Sequence, residues 1–195
     1  MSRIALDLDD TLGNHTKQFI IFYQRVYGRK IRFESFTSYG LDKVLRVSPD
    51  ESYGRLNRFY ESPEFDAISP LPGAQDCIQK LAEAGEELLV LTGRPKALKE
   101  KTKAWIKKYF PVISTKQILI VGELLPGPEQ AKGPICLRRN IDLIVEDSFE
   151  QALSCSTRAG VALFNRPWNQ NSSLREETIT RVDTWEEVYT LSKKY

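Results

Sequence analysis

The sequence contains few of the residues on which several classes of protein site depend. Its 195 residues include one histidine, His15, and three cysteines, which are Cys77, Cys136 and Cys155. No two cysteines have CxxC spacing, which excludes the usual zinc frameworks. Because there is no GxSxG motif either, a nucleophile activated by histidine would need His15 itself. We therefore expect catalysis by this chain to depend on carboxylates, lysine or a hard metal ion.

The sequence also lacks a long apolar run and a strong charge of either sign. No apolar stretch approaches the roughly 18 residues that cross a bilayer, and a start that turns acidic at Asp7 is unlike a secretory signal. The 28 basic and 26 acidic side chains leave a net charge of +2, which provides no basic field for a nucleic-acid polymer. The cysteine spacing is typical of reduced thiols. These features predict a cytoplasmic protein with neither a membrane segment nor a nucleic-acid partner.

Strand and helix patterns alternate along most of the chain. Five short runs rich in Ile, Leu and Val are predicted to be buried strands, at residues 3–8, 87–91, 117–121, 141–145 and 160–164. Helical patterns occupy residues 73–84, 95–110, 135–140, 148–158 and 184–193. This alternation predicts an α/β fold with a doubly wound, Rossmann-like parallel sheet.

Residues 13–69 interrupt the alternation. They contain no clear strand pattern, whereas residues 19–27 and 51–60 have the amphipathic pattern of helices. We predict a small helical cap subdomain here, inserted into a catalytic core made of residues 1–12 and 70–195. The insert holds 11 of the 20 aromatic residues. Two interpretations of these rings stay open: they form the core of a small subdomain, or they form a stacking pocket.

The first candidate site follows the first predicted strand, where the sequence reads Asp7-Leu8-Asp9-Asp10-Thr11. Side chains alternate along a strand, so Asp7 and Asp9 are predicted to point to the same side. The carboxyl edge of an open α/β sheet is where such folds bind ligands. Two acids placed together there are costly without a cation, which favours a cation site over a pair of helix-capping or solvated acids.

The second predicted strand ends in Thr92-Gly93-Arg94-Pro95. A hydroxyl, a glycine and the start of a helix together predict an anion-binding site, since backbone N–H groups and the helix dipole both favour phosphate. Alternatively, Thr92 only caps the helix. Arg94 either contacts the substrate or closes this site.

Glu146 and Asp147 end the fourth predicted strand, at the same edge of the sheet as Asp7. Together with Asp7 and Asp9 they can surround one site, and oxygen ligands of this kind suit Mg²⁺. Asp147 or Ser148 can also cap the following helix.

A basic residue is expected to balance these acids. Lys132 is well placed, because it lies at the end of a Gly- and Pro-rich segment, residues 122–134, that we predict to be a long loop leading into a helix at Pro134. Lys116 is less favoured, because it precedes a strand at the opposite edge. The lysines between residues 96 and 108 flank an apolar stripe and are expected to face solvent.

These elements resemble, in their order and across the whole chain, the motifs of the haloacid dehalogenase superfamily of phosphotransferases. The resemblance implies a nucleophilic Asp7, a general acid and base at Asp9, phosphate-holding Thr92 and Lys132, and a metal ligand at Asp147 with Glu146 beside it. The insert at residues 13–69 stands where that superfamily has a helical cap of its first type.

Within the superfamily the chain resembles the 5′(3′)-deoxyribonucleotidases and their bacterial relatives, through DLDDTL, PLPGA, LTGRP and the late FNRPWN. Better-known members have two aspartates where this chain has Glu146-Asp147. The resemblance implies a Mg²⁺-dependent phosphomonoester hydrolase that forms an aspartyl-phosphate and acts on nucleoside monophosphates. A phosphatase for another small metabolite, a receiver-like signalling module and a non-catalytic phosphate-binding protein are the alternatives. The spacing of Asp9 from Asp7 and the long insert argue against a receiver.

Overall fold

A parallel sheet forms the centre of the molecule. The structure is a computed structural model that describes residues 1–125, 131–170 and 177–195. Its strands are β1 (Arg3–Leu6), β2 (Glu87–Thr92), β3 (Ile118–Ile120), β4 (Leu143–Glu146), β5 (Gly160–Phe164) and β6 (Ile179–Val182). All neighbouring strands are parallel, in the order β3-β2-β1-β4-β5-β6. The predicted doubly wound α/β fold is confirmed.

The edge strand β6 is the one described strand that the sequence analysis missed. It pairs only with β5, and only its terminal residues, Ile179 and Val182, are buried. The two residues between them are Thr180 and Arg181, so the strand lacks the continuous apolar run that marks strands buried on both faces. The predicted count of five strands was therefore wrong by one at the edge of the sheet.

Ten α-helices are found in the described ranges. They are α1 (His15–Tyr27), α2 (Leu41–Leu45), α3 (Pro49–Tyr60), α4 (Pro63–Asp66), α5 (Ala74–Glu83), α6 (Lys99–Tyr109), α7 (Val121–Leu124), α8 (Gly133–Arg139), α9 (Phe149–Ser156) and α10 (Trp185–Ser192). The first four lie within residues 13–69, which contain no strand. The division of the chain into a core and a cap stays a prediction. None of the described helices combines the length and the apolar character that a bilayer-spanning helix needs.

Alternate side chains of β1 enter two separate hydrophobic cores, one on each face of the sheet. Ile4 and Leu6 belong to the core that includes α5, α6 and α10, whereas Ala5 belongs to the core that includes α8 and α9. Each fully buried aliphatic side chain contributes about 1.5–3 kcal/mol. Because β1 is packed on both faces, its carboxyl end is a rigid support for the residues that follow.

Two predicted boundaries differ from the structure. Residues 122–124 lie in helix α7 rather than in a loop, and α8 begins at Gly133, one residue before the predicted start. The rest of the predicted loop includes residues 126–130, which lie outside the described residues. After β2, a 3₁₀ turn (Lys96–Leu98) precedes α6, so the α-helix itself begins at Lys99 and not at Pro95.

The order of the strands reverses direction between β1 and β4. The chain continues from β1 outward through β2 and β3 on one side, and from β4 outward through β5 and β6 on the other. The crevice at such a switch point, beyond the carboxyl ends of the strands, is the usual ligand site of open α/β sheets. Asp7 follows β1 and Asp147 follows β4. The topology therefore brings both acids to this crevice.

Candidate active site

Asp7 is held at the end of β1 beside a buried lysine. Its backbone N–H donates to the Val145 carbonyl at 2.9 Å, which extends the pairing of β1 with β4. The Lys132 ammonium, only 4% exposed, donates hydrogen bonds to the carboxylates of both Asp7 and Glu146. Burial raises the pKa of Asp7 to about 7, although Lys132 opposes the shift. Burial alone would lower the pKa of Lys132, but the two carboxylates raise it above its usual value, so Lys132 carries a charge.

Asp7, Glu146 and Asp147 form a compact acidic cluster. Each is buried, and each offers a carboxylate oxygen within 4.8 Å of the others. Burial, followed by the charges of Asp7 and Glu146, raises the pKa of Asp147 well above its ordinary value. Lys132 supplies one positive charge against three carboxylates. The donor set and its excess negative charge fit a hard divalent cation.

The carboxylate of Asp9 has a different partner. Arg94 Nε and Nη2 donate to its two oxygens at 2.9 and 2.6 Å. Burial by itself raises the pKa of Asp9, but the charge and hydrogen bonds of Arg94, together with other nearby groups, hold this pKa below its usual value. Asp9 and Asp7 line the same cavity. The acidic cluster, however, does not include Asp9.

A tight turn at Asp10 separates these two environments. β1 ends at Leu6, and Asp10 adopts a left-handed conformation with φ 57°, so the strand alternation does not continue through Asp9. Thr16 N–H donates to Asp10 Oδ1 at 2.9 Å, and Thr16 Oγ1 donates to Oδ2 at 2.5 Å. Arg166 Nη2 donates to the Asp10 carbonyl at 2.7 Å. These contacts offset the strain of a left-handed aspartate, which costs about 1–2 kcal/mol.

The residues predicted to bind an anion lie beside the acids, with one difference from the expected arrangement. Thr92 is buried at the end of β2, and its Oγ1 accepts a hydrogen bond from Arg94 N–H at 3.1 Å. A Cβ built on Gly93 would meet nothing within 4 Å, so the backbone there borders open space. Because α6 begins only at Lys99, its N-terminus is not directly at Gly93 and the expected helix-dipole contribution is weaker.

A cavity of about 240 Å³ lies above these groups. Its polar lining includes Asp7, Asp9, Thr92, Gly93 and Asp147. Its ring-bearing lining consists of His15, Phe19, Phe36, Tyr39, Tyr60 and Trp168. Four of the 11 aromatic residues of the insert therefore face the cavity. Others, such as Phe22 and Phe59, are buried and pack against each other at 5.4 Å, so at least some of the rings form a core; a stacking pocket stays a prediction.

Comparison with known proteins identifies the family of the chain. A family model described as 5′ nucleotidase, deoxy (pyrimidine), cytosolic type C protein (NT5C) matches residues 1–194. The chain belongs to the NT5C family. This confirms the resemblance to deoxyribonucleotidases that the sequence motifs indicate.

Individual relatives are more distant. A "Putative nucleotidase" of Bacillus cereus is 28% identical over 114 residues, which are 56% of this chain and 60% of that protein. This chain therefore matches less than two thirds of that relative's length. The "Putative nucleotidase YqfW" of Bacillus subtilis is 28% identical over 189 residues, 95% of this chain and 90% of that protein.

A solved structure agrees with the predicted fold. The crystal structure of a HAD family hydrolase from Deinococcus radiodurans R1, with bound phosphate and sodium, has a TM-score of 0.70 to this chain. The two sequences are 15% identical, and the alignment covers 99% of this chain and 96% of the other. The fold of this NT5C family member is that of the haloacid dehalogenase superfamily.

The late FNRPWN motif holds Asp147 in this NT5C family member, a role that the sequence analysis did not assign. Trp168 Nε1 donates to Asp147 Oδ2 at 2.9 Å. Asn169 Nδ2 donates to the Asp147 carbonyl at 2.8 Å and to the Phe164 carbonyl at 2.7 Å. The available signal was position: the motif follows β5, whose carboxyl end lies beside that of β4.

Helix α9 is capped without using the site's acids. Ser148 Oγ accepts a hydrogen bond from Gln151 N–H at 3.3 Å. Asp147 and Ser148 were both considered as the N-cap of this helix. Ser148 is the N-cap, and Asp147 faces the cavity. His15 begins α1, lines the cavity and packs edge-on against Phe59 at 5.2 Å.

Proposed function

We propose that this protein hydrolyses phosphomonoesters in two steps through a phosphorylated Asp7, and that its substrate is a nucleoside monophosphate. The observation that carries the proposal is that Asp7 and the open backbone at Gly93 line one cavity, while the charged Lys132 donates a hydrogen bond to the Asp7 carboxylate. Membership of the NT5C family supports the same reaction class.

In the first step, an Asp7 carboxylate oxygen forms a bond to phosphorus as the bond from phosphorus to the ester oxygen breaks. The departing oxygen takes a proton from Asp9. In the second step, a water oxygen attacks the same phosphorus and its proton passes to Asp9. The acyl-phosphate bond then breaks, which releases phosphate and regenerates Asp7. Lys132 and the backbone amides near Thr92 and Gly93 stabilise the negative oxygens of the transferring group.

Mg²⁺ is the proposed cofactor. Asp7, Asp147 and Glu146 would hold it, because they form the acidic cluster and their charge exceeds that of Lys132. When bound, the ion supplies positive charge that neutralises phosphoryl oxygens. Asp9 was also predicted to be a ligand, but its carboxylate pairs with Arg94, and we leave it out of the proposed set.

The contacts of Arg94 support a role in positioning Asp9 in addition to any contact with substrate. Its guanidinium is 3% exposed, donates to Thr102 Oγ1 at 3.3 Å and lies 4.8 Å from the centre of the Phe65 ring. A side chain fixed on three sides holds its partner in one orientation. To protonate the leaving oxygen, Asp9 has to exchange its Arg94 contact for the substrate.

The aromatic lining supports a nucleotide as substrate. Stacking of a base on a protein ring contributes about 1–3 kcal/mol, and the cavity wall offers Phe36, Tyr39, Tyr60 and Trp168. The volume of about 240 Å³ favours a second candidate, a smaller phosphomonoester without a base, since ligand sites commonly have about 300–1,000 Å³.

Phosphate release from a panel of phosphomonoesters tests the proposal. With Mg²⁺, we expect kcat/KM for deoxyribonucleoside 5′-monophosphates to exceed that for glucose 6-phosphate or phosphoglycolate by about tenfold or more. A chelator should abolish turnover. A tenfold preference for the small substrates would replace the nucleotide by the second candidate. Absence of release from every substrate would contradict the proposed hydrolase.

We further propose a cytoplasmic location. Cys77, Cys136 and Cys155 are all free and buried, which supports a reducing compartment.

A further inference from the structure

A cationic groove lies next to the active-site cavity. It has a volume of about 330 Å³ and is formed by the chain between α1 and α3. Five basic side chains line it, and they are Arg29, Lys30, Arg32, Lys43 and Arg46. No acidic residue is among the described residues that line the groove. We call this surface the cationic groove.

The basic side chains of the cationic groove have no acidic partner at ion-pair distance among the described residues. Basic residues of the flanking helices behave differently, because Arg25 pairs with Glu64 and Arg55 pairs with Glu51. Five like charges around one concavity repel one another, so an anion with several negative charges would relieve this repulsion.

The walls of the groove are fixed by backbone contacts. Arg29 Nη1 donates to the Leu45 carbonyl at 2.8 Å, which ties the segment after α1 to the end of α2. Arg46 adopts a left-handed conformation with φ 57°, and its N–H donates to the Asp42 carbonyl, which ends α2. Ile31 is buried in the larger core. The groove is therefore a formed surface and not a chance approach of long side chains.

Phosphate is the anion that the lining chemistry suits. Three hydroxyl side chains, Ser35, Thr37 and Ser38, line the groove along with the basic residues. Guanidinium groups donate paired hydrogen bonds to phosphate oxygens, and hydroxyl groups add single ones. Ser38 also lines the active-site cavity. The cationic groove and the cavity thus adjoin at this residue.

We propose that the cationic groove is a second phosphate-binding site, which takes a phosphate group of an anion carrying at least two negative charges. This phosphate is either a second phosphate on the substrate or part of a separate phosphorylated effector. A second phosphate on the substrate rests on the proposed function, whereas the binding of phosphate by the groove does not.

Calorimetry with inorganic pyrophosphate tests binding directly. The groove variant is Lys30→Gln with Lys43→Gln, and the control is Lys107→Gln with Lys116→Gln, which removes the same charge at exposed positions outside the groove. The titrations are made without divalent metal, so that no metal ion can bridge pyrophosphate to the acidic cluster. We expect Kd to weaken about tenfold in the groove variant, as for loss of charge-assisted contacts, and to change less than twofold in the control. Equal Kd values in all three proteins would overturn the proposal.

Steady-state hydrolysis identifies the source of the phosphate. If the groove variant loses about tenfold in kcat/KM for a nucleoside 3′,5′-bisphosphate but keeps that for the 5′-monophosphate, the groove binds the second phosphate of the substrate. Alternatively, pyrophosphate changes the rate at which the wild type and the control hydrolyse the 5′-monophosphate and leaves the rate of the groove variant unchanged. That result would assign the groove to a separate effector. If wild-type protein hydrolyses no phosphomonoester, the proposed function fails, while the calorimetric result still decides whether the groove binds phosphate.

Discussion

At the scale of single residues, Asp7 and Asp9 have opposite electrostatic environments although one residue separates them. Burial raises the pKa of Asp7 to about 7 despite Lys132, whereas at Asp9 the combined effect of Arg94 and other nearby groups exceeds that of burial and lowers the pKa. Environments that separate two carboxyl groups in this way are typical of sites in which the two have different roles. In the protein without metal or substrate the separation runs opposite to the proposed roles, because a nucleophile has to be ionised and a proton donor protonated. A cation held by the acidic cluster would lower the pKa of Asp7, and exchange of the Arg94 contact for the substrate would raise that of Asp9.

Asp9→Asn tests the proposed role of Asp9 in proton transfer. An amide cannot donate the proton that an alkyl leaving group needs, so we expect kcat to fall by about 10²–10⁴ on a nucleoside monophosphate. An activated aryl phosphate, whose leaving group needs no proton, should lose less. Asp76→Asn, at an exposed position outside the cavity, is the control. Equal losses on both substrates would assign Asp9 a structural role only.

Trp168→Phe tests whether the late motif prepares the metal site. The substitution keeps a ring in the cavity wall but removes the N–H that donates to Asp147 Oδ2. Partners of metal ligands commonly affect metal affinity by about 10–100-fold, so we expect the Mg²⁺ concentration for half-maximal activity to rise by at least tenfold.

Trp105→Phe provides the matched control, because Trp105 Nε1 donates to the Ile68 carbonyl away from the acids. An unchanged Mg²⁺ requirement in Trp168→Phe would mean that the indole N–H does not orient Asp147.

At the scale of secondary-structure elements, an ion pair joins α1 to α4. Arg25 donates to both carboxylate oxygens of Glu64, with Nη2 at 2.9 Å from Oε2. The hydrogen bonds from Arg25 lower the pKa of Glu64 to about 2, from an ordinary value of 4.5. A lowered pKa in the folded state stabilises the protein fully above the unfolded value and loses this effect as the pH falls toward the folded value.

Glu64→Gln should therefore lower the free energy of unfolding at neutral pH, and the deficit relative to wild type should shrink between about pH 4.5 and pH 2. Urea unfolding at several pH values measures it. Glu61→Gln, at a neighbouring exposed position with no ion pair among the described residues, is the control. A deficit that is constant with pH would show that the pair's charge does not stabilise the contact of α1 with α4.

Secondary-structure elements with a strong apolar pattern could be predicted from the sequence. Elements whose formation depends on contacts with neighbouring elements could not. The strands β1, β2, β4 and β5 are continuous apolar runs, and their existence follows from the sequence. The strand β6 depends on pairing with β5, and the short α7 begins where an apolar run was assigned to a strand. In these places tertiary contacts decide the structure and local pattern does not.

The same distinction applies to the candidate site. The ends of β1, β2 and β4 could be expected to converge, because parallel strands carry their carboxyl ends to one edge. The pairing of Asp9 with Arg94 could not be expected from the sequence, because it depends on the left-handed turn at Asp10. The contact of Trp168 with Asp147 was equally hidden, since it joins loops that follow different strands.

At the scale of the whole molecule, the candidate active-site cavity is lined both by residues at the sheet edge and by residues of the 13–69 segment. Two exposed tyrosines of the insert differ in one respect: Tyr39, 64% exposed, lines the cavity, whereas Tyr53, 62% exposed, does not. Stacking of a base on Tyr39 would contribute about 1–3 kcal/mol.

We expect Tyr39→Ala to lower kcat/KM for a nucleoside monophosphate about tenfold, or slightly more, and to leave that for glucose 6-phosphate unchanged. Tyr53→Ala should alter neither. Parallel losses on both substrates in Tyr39→Ala would indicate that the ring shapes the cavity without contacting a base.

The central claim is that phosphate passes through Asp7, and rapid-quench mass spectrometry of the protein during turnover tests it most directly. Wild-type protein should carry one phosphate, and borohydride cleavage of the acyl phosphate should locate it at Asp7. Asp7→Asn should carry none, with kcat lowered by about 10³-fold or more. Turnover without any phosphorylated protein, or a phosphate on another residue, would contradict the account.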